Sequence, residues 1–423
     1  MPSSRGAFRS LLRSGSVVAV AMAVMNVATY GFQLVSARVL GPQPYGAFAA
    51  LMNTLLVVTV LQLGLQATAA RRIAADPAHV QQIERVVLAV TYRAALVLGA
   101  ALLLASPLID RALRLESLPT AALVALSAVP LTVMGGQAGI LQGERRWRAL
   151  AAIYLAAGVP RLLLGTVFIA FSPTEAAAMA GVTVTSFAPA LVGWWFLRQG
   201  HPTGERHVDH RVGNIVRETL HNSQALFAFF ALSSIDVIIA RNTLDAHDAG
   251  LYAGGLILTK ATLFLPQFVV VVAFPELSQP AERRHALTRS LILVLLLGLA
   301  TAGGAWLLPD LTLAFIGGRE FAEIASRLWL FALIGTVLSM LQLLVYAVLA
   351  RRGQRSAYLL WTGLLVLIGA GFVVDSVDAL IGVVLVTDST LLLALLGISL
   401  FLVPDPDDET ADQPASGEGR THG

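Results

Sequence analysis

Apolar residues along this chain gather into repeated runs of roughly 20, the length an α-helix needs to cross about 30 Å of hydrocarbon. Short polar clusters, most of them built around arginine, separate the runs. The pattern predicts twelve membrane-spanning helices, near 15–37, 45–69, 86–106, 118–142, 149–171, 176–197, 223–243, 250–275, 289–308, 324–349, 357–375 and 380–403. No loop between them exceeds about 25 residues, so no catalytic domain hangs from the membrane.

Arginine placement sets the expected orientation, because short loops rich in Lys or Arg stay on the cytoplasmic side. Alternate loops and the termini hold 20 basic residues, including Arg71 and Arg72, Arg145 and Arg146, Arg283 and Arg284, and Arg351 and Arg352, whereas the intervening loops hold six. Both termini are therefore expected in the cytoplasm. The chain divides into a cytoplasmic N-terminus (1–14), a six-helix half (15–197), a cytoplasmic linker (198–222), a second six-helix half (223–403) and a disordered acidic tail (404–423). In the linker, Val212, Ile215, Val216 and Leu220 predict the apolar stripe of an interfacial helix carrying Arg211 and Arg217. The first apolar run imitates a signal peptide but, at about 23 residues, is longer than a signal h-region and reads as a retained helix.

Composition agrees with a polytopic all-α membrane protein: 56% of the residues are hydrophobic, 13% are charged, and the mean hydropathy is +0.74. Several chemistries are excluded. The absence of cysteine removes disulfides and thiolate metal sites, and the histidines of "HVDH" (His207, His210) have no second ligand pair, so neither metal nor cofactor is expected. No phosphate-binding "GxxxxGK" loop is present and Lys260 is the only lysine, which argues against ATP. A pI near 9.5 restates the arginine bias and does not point to nucleic acid. Twenty-eight arginines against one lysine fit a GC-rich bacterial genome, hence the bacterial cytoplasmic membrane.

One turn occurs twice. "ARVLGPQPYGAFAALMNTLL" (37–56) returns in looser form as "ARNTLDAHDAGLYAGGLILTK" (240–260), with Gly46 and Phe48 lying 204 residues before Gly250 and Tyr252, and Arg38 lying 203 before Arg241. Gln33 and Asp236 each stand five residues before that arginine. Six spans separate the copies, an even number, so the two halves are expected to share one orientation and to be related by a pseudo-two-fold axis along the membrane normal, with a cavity between them.

Ionisable residues inside a span cost several kcal/mol unless they face a cavity or a partner, which makes five residues candidates. Arg161, beside Pro160, lies about 18 Å into its span, near mid-depth, and either meets an anionic substrate or pairs with a carboxylate. Lys260 lies about 15 Å deep and is either a second substrate-binding cation or the ion-pair partner of Asp236. Arg93, the third substrate-binding candidate, is close enough to the cytoplasmic boundary to snorkel. Asp236 and Asp388 are candidates for ion coupling or charge pairing, Asp388 being flanked by Thr387, Ser389 and Thr390. Gly135, Gly139 and Gly143 recur every fourth residue and predict close helix packing.

The turn "RVLGPQPYGAFAAL", the "LQGERRW" after the fourth span and the run "DVIIARNTLDAHDAGLYAGGLILTK...FPELS" resemble the polysaccharide and lipid-linked oligosaccharide flippases of the multidrug/oligosaccharidyl-lipid/polysaccharide exporter (MOP) superfamily. The resemblance covers most of residues 10–400. It implies two six-helix bundles forming a V-shaped cavity, and alternating access that moves a polyprenyl-diphosphate-linked sugar to the outer leaflet. It also implies work beside envelope glycosyltransferases or a polymerase. Two alternatives stand beside it. One is a cation-coupled drug exporter of the same superfamily, which favours cavity acids. The other is a polyprenyl-phosphate-dependent glycosyltransferase or polymerase, which favours acids on an outer loop or one large outer loop. The first outer loop, "RVLGPQPY", holds no acid.

Overall fold

The computed structural model describes residues 4–198, 212–263, 283–350 and 355–401, and among them every regular element is helical. The first half contains α1 (Ser4–Leu40), α2 (Pro42–Ala75), α3 (Val80–Leu104), α4 (Ser106–Leu113), α5 (Leu118–Gly143), α6 (Trp147–Phe171) and α7 (Glu175–Leu197). The second contains α8 (Val212–Thr243), α9 (Ala246–Thr262), α10 (Arg283–Leu307), α11 (Pro309–Ile316), α12 (Leu328–Ala350), α13 (Arg355–Gly371) and α14 (Val377–Phe401). Ten of the described helices are long and apolar enough to cross a membrane, Tyr358–Gly371 is a shorter apolar helix, and α9 runs up to residues outside the described set.

Local chemistry explains where these helices begin. Gly41 has φ 72°, a left-handed conformation that glycine adopts without strain, and Pro42 opens α2 where its missing N–H costs nothing. At the corresponding place, Asp245 accepts a hydrogen bond from the Asp248 N–H at 2.8 Å and caps α9. The two caps are 204 residues apart, so the repeat fixes the register of both helices. Pro107 and Pro309 stand in the first turn of the short helices α4 and α11, which were not anticipated from the hydrophobic pattern.

The pairing of helices repeats as well. In the first half α1 packs on α6, α2 on α5, α3 on α5, α5 on α7 and α6 on α7. In the second, α8 packs on α13, α9 on α12, α10 on α12, α12 on α14 and α13 on α14, so each of these five pairings recurs between the counterparts seven helices later. This is the parallel repeat read from the turns. Gly135, Gly139 and Gly143 face α2, where a Cβ would lie 2.5 Å from the Gln62 carbonyl, 2.5 Å from that of Gln66 and 2.7 Å from the Ile73 Cβ. Leu104, Phe171 and Val373 point outward, more than four-fifths exposed, a surface that lipid rather than water must cover.

One boundary is corrected. The stripe from Val212 to Leu220 is not a separate interfacial helix, because α8 runs unbroken from Val212 to Thr243. After Gly213 in the first turn no glycine or proline stands before the span, and continuing an existing helix costs less than nucleating a second one. The rest of the linker with its histidines at 201, 207 and 210, the later part of the predicted 250–275 span and the acidic tail lie outside the described residues.

Candidate functional site

The two copies of the turn touch each other. A Cβ on Gly46 would lie 2.9 Å from the Gly250 Cα, and one on Gly250 would lie 2.1 Å from the Pro42 carbonyl oxygen. Glycine is therefore required at both places for the halves to close here. The repeated arginines complete the closure reciprocally. Arg241, buried at the end of α8, donates to the carbonyls of Leu113 at 3.1 Å and Arg114 at 2.9 Å, at the C-terminus of α4 in the other half. Arg38, at the end of α1, donates to the Ala314 carbonyl near the C-terminus of α11, again in the other half. A guanidinium at a helix C-terminus meets unpaired carbonyls and the negative end of the dipole. Tyr45 packs edge-on against Phe321 with centroids 6.1 Å apart and adds an aromatic contact across the same seam.

Beyond this closed end lies a cavity of about 510 Å³ between the halves. Tyr45 and Phe48 line one end of it, and its wall follows α2 to Gln62 and Leu63, a path of about 27 Å at 1.5 Å per residue. α2 packs along both α8 and α9, whereas α1, the symmetry counterpart of α8, makes only slight contact with α9. Among the described residues the seam between the halves is thus closer where α2 packs on α8 and α9 than where α1 faces α9.

Arg161 and Lys260 both line this cavity, and no acidic residue is among its described lining. Arg161 follows Pro160 inside α6, where the proline leaves the Ala156 carbonyl without its helical partner. Its Nε is buried with no hydrogen-bond partner, and no ion pair holds its guanidinium among the described residues. Of the two readings of Arg161, pairing with a carboxylate is therefore not what these residues form.

Lys260 is held differently. Its Nζ donates to the Ser233 carbonyl at 2.6 Å, while Asp236 accepts from the Tyr252 hydroxyl at 3.0 Å and from the Val237 N–H at 2.8 Å. The expected Lys260–Asp236 ion pair does not form as a direct contact. The reason is register: α8 and α9 run antiparallel, Tyr252 sits level with Asp236, and Lys260 lies two turns further along, from where its Nζ reaches back to the Ser233 carbonyl. Both acids still act electrostatically on Lys260. Asp388 on α14 belongs to this group, 1% exposed, with Oδ1 lacking any partner. Its neighbours Thr387, Ser389 and Thr390 do not supply one.

Arg93 is not brought to this site. It is exposed on α3, whose buried face, including Val87, Val90 and Ala95, turns toward α5, and α3 contributes nothing to the cavity lining. The sequence reading also missed the neutral polar lining, notably Thr29, Gln33 and Asn53. The one available signal was the spacing of Asn26, Thr29 and Gln33 at i, i+3 and i+7, which puts them on one face of α1. In "LQGERRW", Arg146 reaches across to donate to the Phe196 carbonyl at 2.8 Å, tying the α5–α6 turn to the end of α7.

Two parallel six-helix repeats surround a central cavity, and this is the fold of solved transporters of the MOP superfamily. A eukaryotic MATE transporter, AtDTX14, matches with a TM-score of 0.68 at 13% identity, covering 96% of this chain and 98% of that one. The lipid II flippase MurJ in an inward closed conformation matches with a TM-score of 0.68 at 13% identity, covering 93% and 89%. An inward-facing MATE family multidrug resistance transporter matches at 0.65 with 15% identity, covering 89% and 92%. Among curated proteins no relative matches the sequence. The model of the polysaccharide biosynthesis protein family (Polysacc_synt) matches residues 11–281, and the chain belongs to that family.

Proposed function

We propose that this protein carries a polyprenyl-diphosphate-linked oligosaccharide, or a related envelope polysaccharide precursor, across the bacterial cytoplasmic membrane by alternating access. The observation that carries this reading is the cavity between the halves, which presents the cations Arg161 and Lys260 and no described acid. Such a wall offsets the cost of desolvating a diphosphate and sets no described carboxylate against a cationic drug. The family supplies the glycan context. In this reading the lipid tail remains in the bilayer, beside the α1–α9 side where the described residues make only slight contact, while its head group occupies the cavity.

Binding must weaken on the far side for release. Asp236, Tyr252, Lys260 and Asp388 lie together beside the cavity, on α8, α9 and α14. Protonation of either acid, or cation binding between them, changes how strongly Lys260 is engaged by the protein and so how freely it meets substrate. Envelope glycosyltransferases or a polymerase are the partners that would supply and consume the lipid-linked glycan. The chain itself performs no catalytic step in this reading.

The direct test is reconstitution. Vesicles loaded with a lipid-linked glycan on the face corresponding to the cytoplasm should expose it to an impermeant glycosidase only when the protein is present. Equal exposure in empty vesicles and proteoliposomes rejects the transport reading.

Orientation has its own test, since the arginine bias places the termini and the linker inside and the closed end outside. Single cysteines at Gly204 and Gly318 of this cysteine-free chain should be labelled from the cytoplasmic and external faces respectively. External labelling at Gly204 overturns the topology.

A further inference from the structure

Apart from the two cations, the polar side chains of the cavity wall are neutral, and all but Gln342 on α12 belong to the N-terminal half. Thr29 and Gln33 on α1 line the cavity with no hydrogen-bond partner among the described residues. Asn53 on α2, 8% exposed, gives its Nδ2 to the Ala49 carbonyl at 2.8 Å and leaves its Oδ1 without a donor. The opposite wall, from α8 and α9, presents Phe229, Phe230, Leu256 and Ile257. The repeat sharpens the contrast: the residue 204 positions after Asn53 is Ile257, so one half has an amide where the other has a hydrocarbon.

These groups ask for a particular ligand chemistry. An ionised diphosphate only accepts hydrogen bonds, so it satisfies Arg161 but brings no donor to the Asn53 Oδ1. A hydroxyl both donates and accepts, as do the Gln33 amide and the Thr29 hydroxyl. A hydrophobic cation leaves Arg161 without an anion and brings no acceptor to the Thr29 hydroxyl or the Gln33 amide N–H groups. A ligand that answers both at once carries an anion joined to a polyhydroxylated body, and its apolar faces have the aromatic wall opposite to lie against.

Resting on the transport reading above, we propose that Thr29, Gln33 and Asn53 form a saccharide-reading wall on the N-terminal half. It hydrogen-bonds hydroxyls of the first sugars while Arg161 holds the diphosphate to which they are joined. Substrate then enters in one orientation, its glycan against α1 and α2. Charge selects the class of lipid, and the neutral stripe selects among glycans.

The test measures binding to the purified full-length protein in lipid nanodiscs. The probes are farnesyl diphosphate and farnesyl diphosphate bearing glucose, galactose or N-acetylglucosamine. The wild type should bind at least one sugar-bearing lipid about tenfold more tightly than the bare one, the worth of one or two well-made hydrogen bonds. Asn53→Leu and, on the other helix, Gln33→Leu should each move that ratio toward one, whereas Arg161→Ala should weaken bare and sugar-bearing lipids together. Equal wild-type affinity for all the probes overturns the saccharide wall. So does a ratio unchanged in both leucine variants, and the use of two helices guards against a folding defect in either. Failure of farnesyl diphosphate itself to bind is a different result, which removes the diphosphate reading on which the wall depends.

Discussion

Replacing Arg161 with alanine should weaken binding of a diphosphate lipid by about 10- to 100-fold, the loss of one or two charge-assisted hydrogen bonds at about 1.5–3 kcal/mol. Outward movement in proteoliposomes should fall in step. Arg161→Lys should retain part of the affinity, because an ammonium keeps the charge but not the planar fork. The same alanine variant carries an opposite expectation for the empty protein. Arg161 has a buried, unpartnered Nε and no ion pair among the described residues, so its removal relieves a desolvation cost and breaks no hydrogen bond or ion pair among them. Thermal unfolding in detergent should therefore show the unliganded variant as stable as the wild type or more so. A structural arginine behaves the other way, losing stability with affinity unchanged. Undiminished transport by Arg161→Ala removes the residue from the mechanism, and undiminished transport by an Arg161/Lys260 double substitution removes the cationic cavity.

Much of this fold was legible because a bilayer imposes two simple constraints, span length and charge placement. The repeated turn carried more, since a glycine that must touch its own counterpart leaves the same mark in both halves. Pro107 and Pro309, 202 residues apart, carried the same kind of mark for the two short helices, but an eight-residue helix at a span end changes hydropathy too little to announce itself. Charges were found because intramembrane arginine, lysine and aspartate are rare. Their partners were not, because pairing depends on helix register: a displacement of two turns on α9 separates Lys260 from Asp236 and gives that acid to Tyr252. Arg93 shows the same limit, since depth in a span does not say which way a helix is rotated. The neutral wall of Thr29, Gln33 and Asn53 was hidden for a further reason. Neutral side chains stand out little in a hydropathy profile, and their meaning appears only when one face of α1 and one of α2 are seen to share a cavity.

Neutralising the two repeated arginines together should open the closed end. Each reaches across the seam to the last carbonyls of a short helix in the opposite half, so each contact exists only while the halves are shut. A charged donor on a backbone carbonyl contributes about 1.5–3 kcal/mol when buried and less when exposed, so Arg241 outweighs the exposed Arg38. Their sum, about 2–5 kcal/mol, approaches the ~5.5 kcal/mol that carries a two-state equilibrium from 99:1 to 1:99. Gly250→Val should act through sterics alone, because even its Cβ would fall 2.1 Å from the Pro42 carbonyl oxygen. The reporter is a cysteine at Ala49, which lines the cavity just beyond the closed end and is 7% exposed. On the proposed topology an impermeant thiol reagent added outside should label it slowly in an otherwise unaltered chain. Labelling should quicken in Arg38→Gln/Arg241→Gln and in Gly250→Val, with Arg241→Gln alone giving the larger single effect. Transport should fall in all of them, since a carrier that cannot shut one face cannot alternate. If labelling stays slow in both the double variant and Gly250→Val, the turns that meet at Gly46 and Gly250 are a fixed hinge, and the gate lies elsewhere.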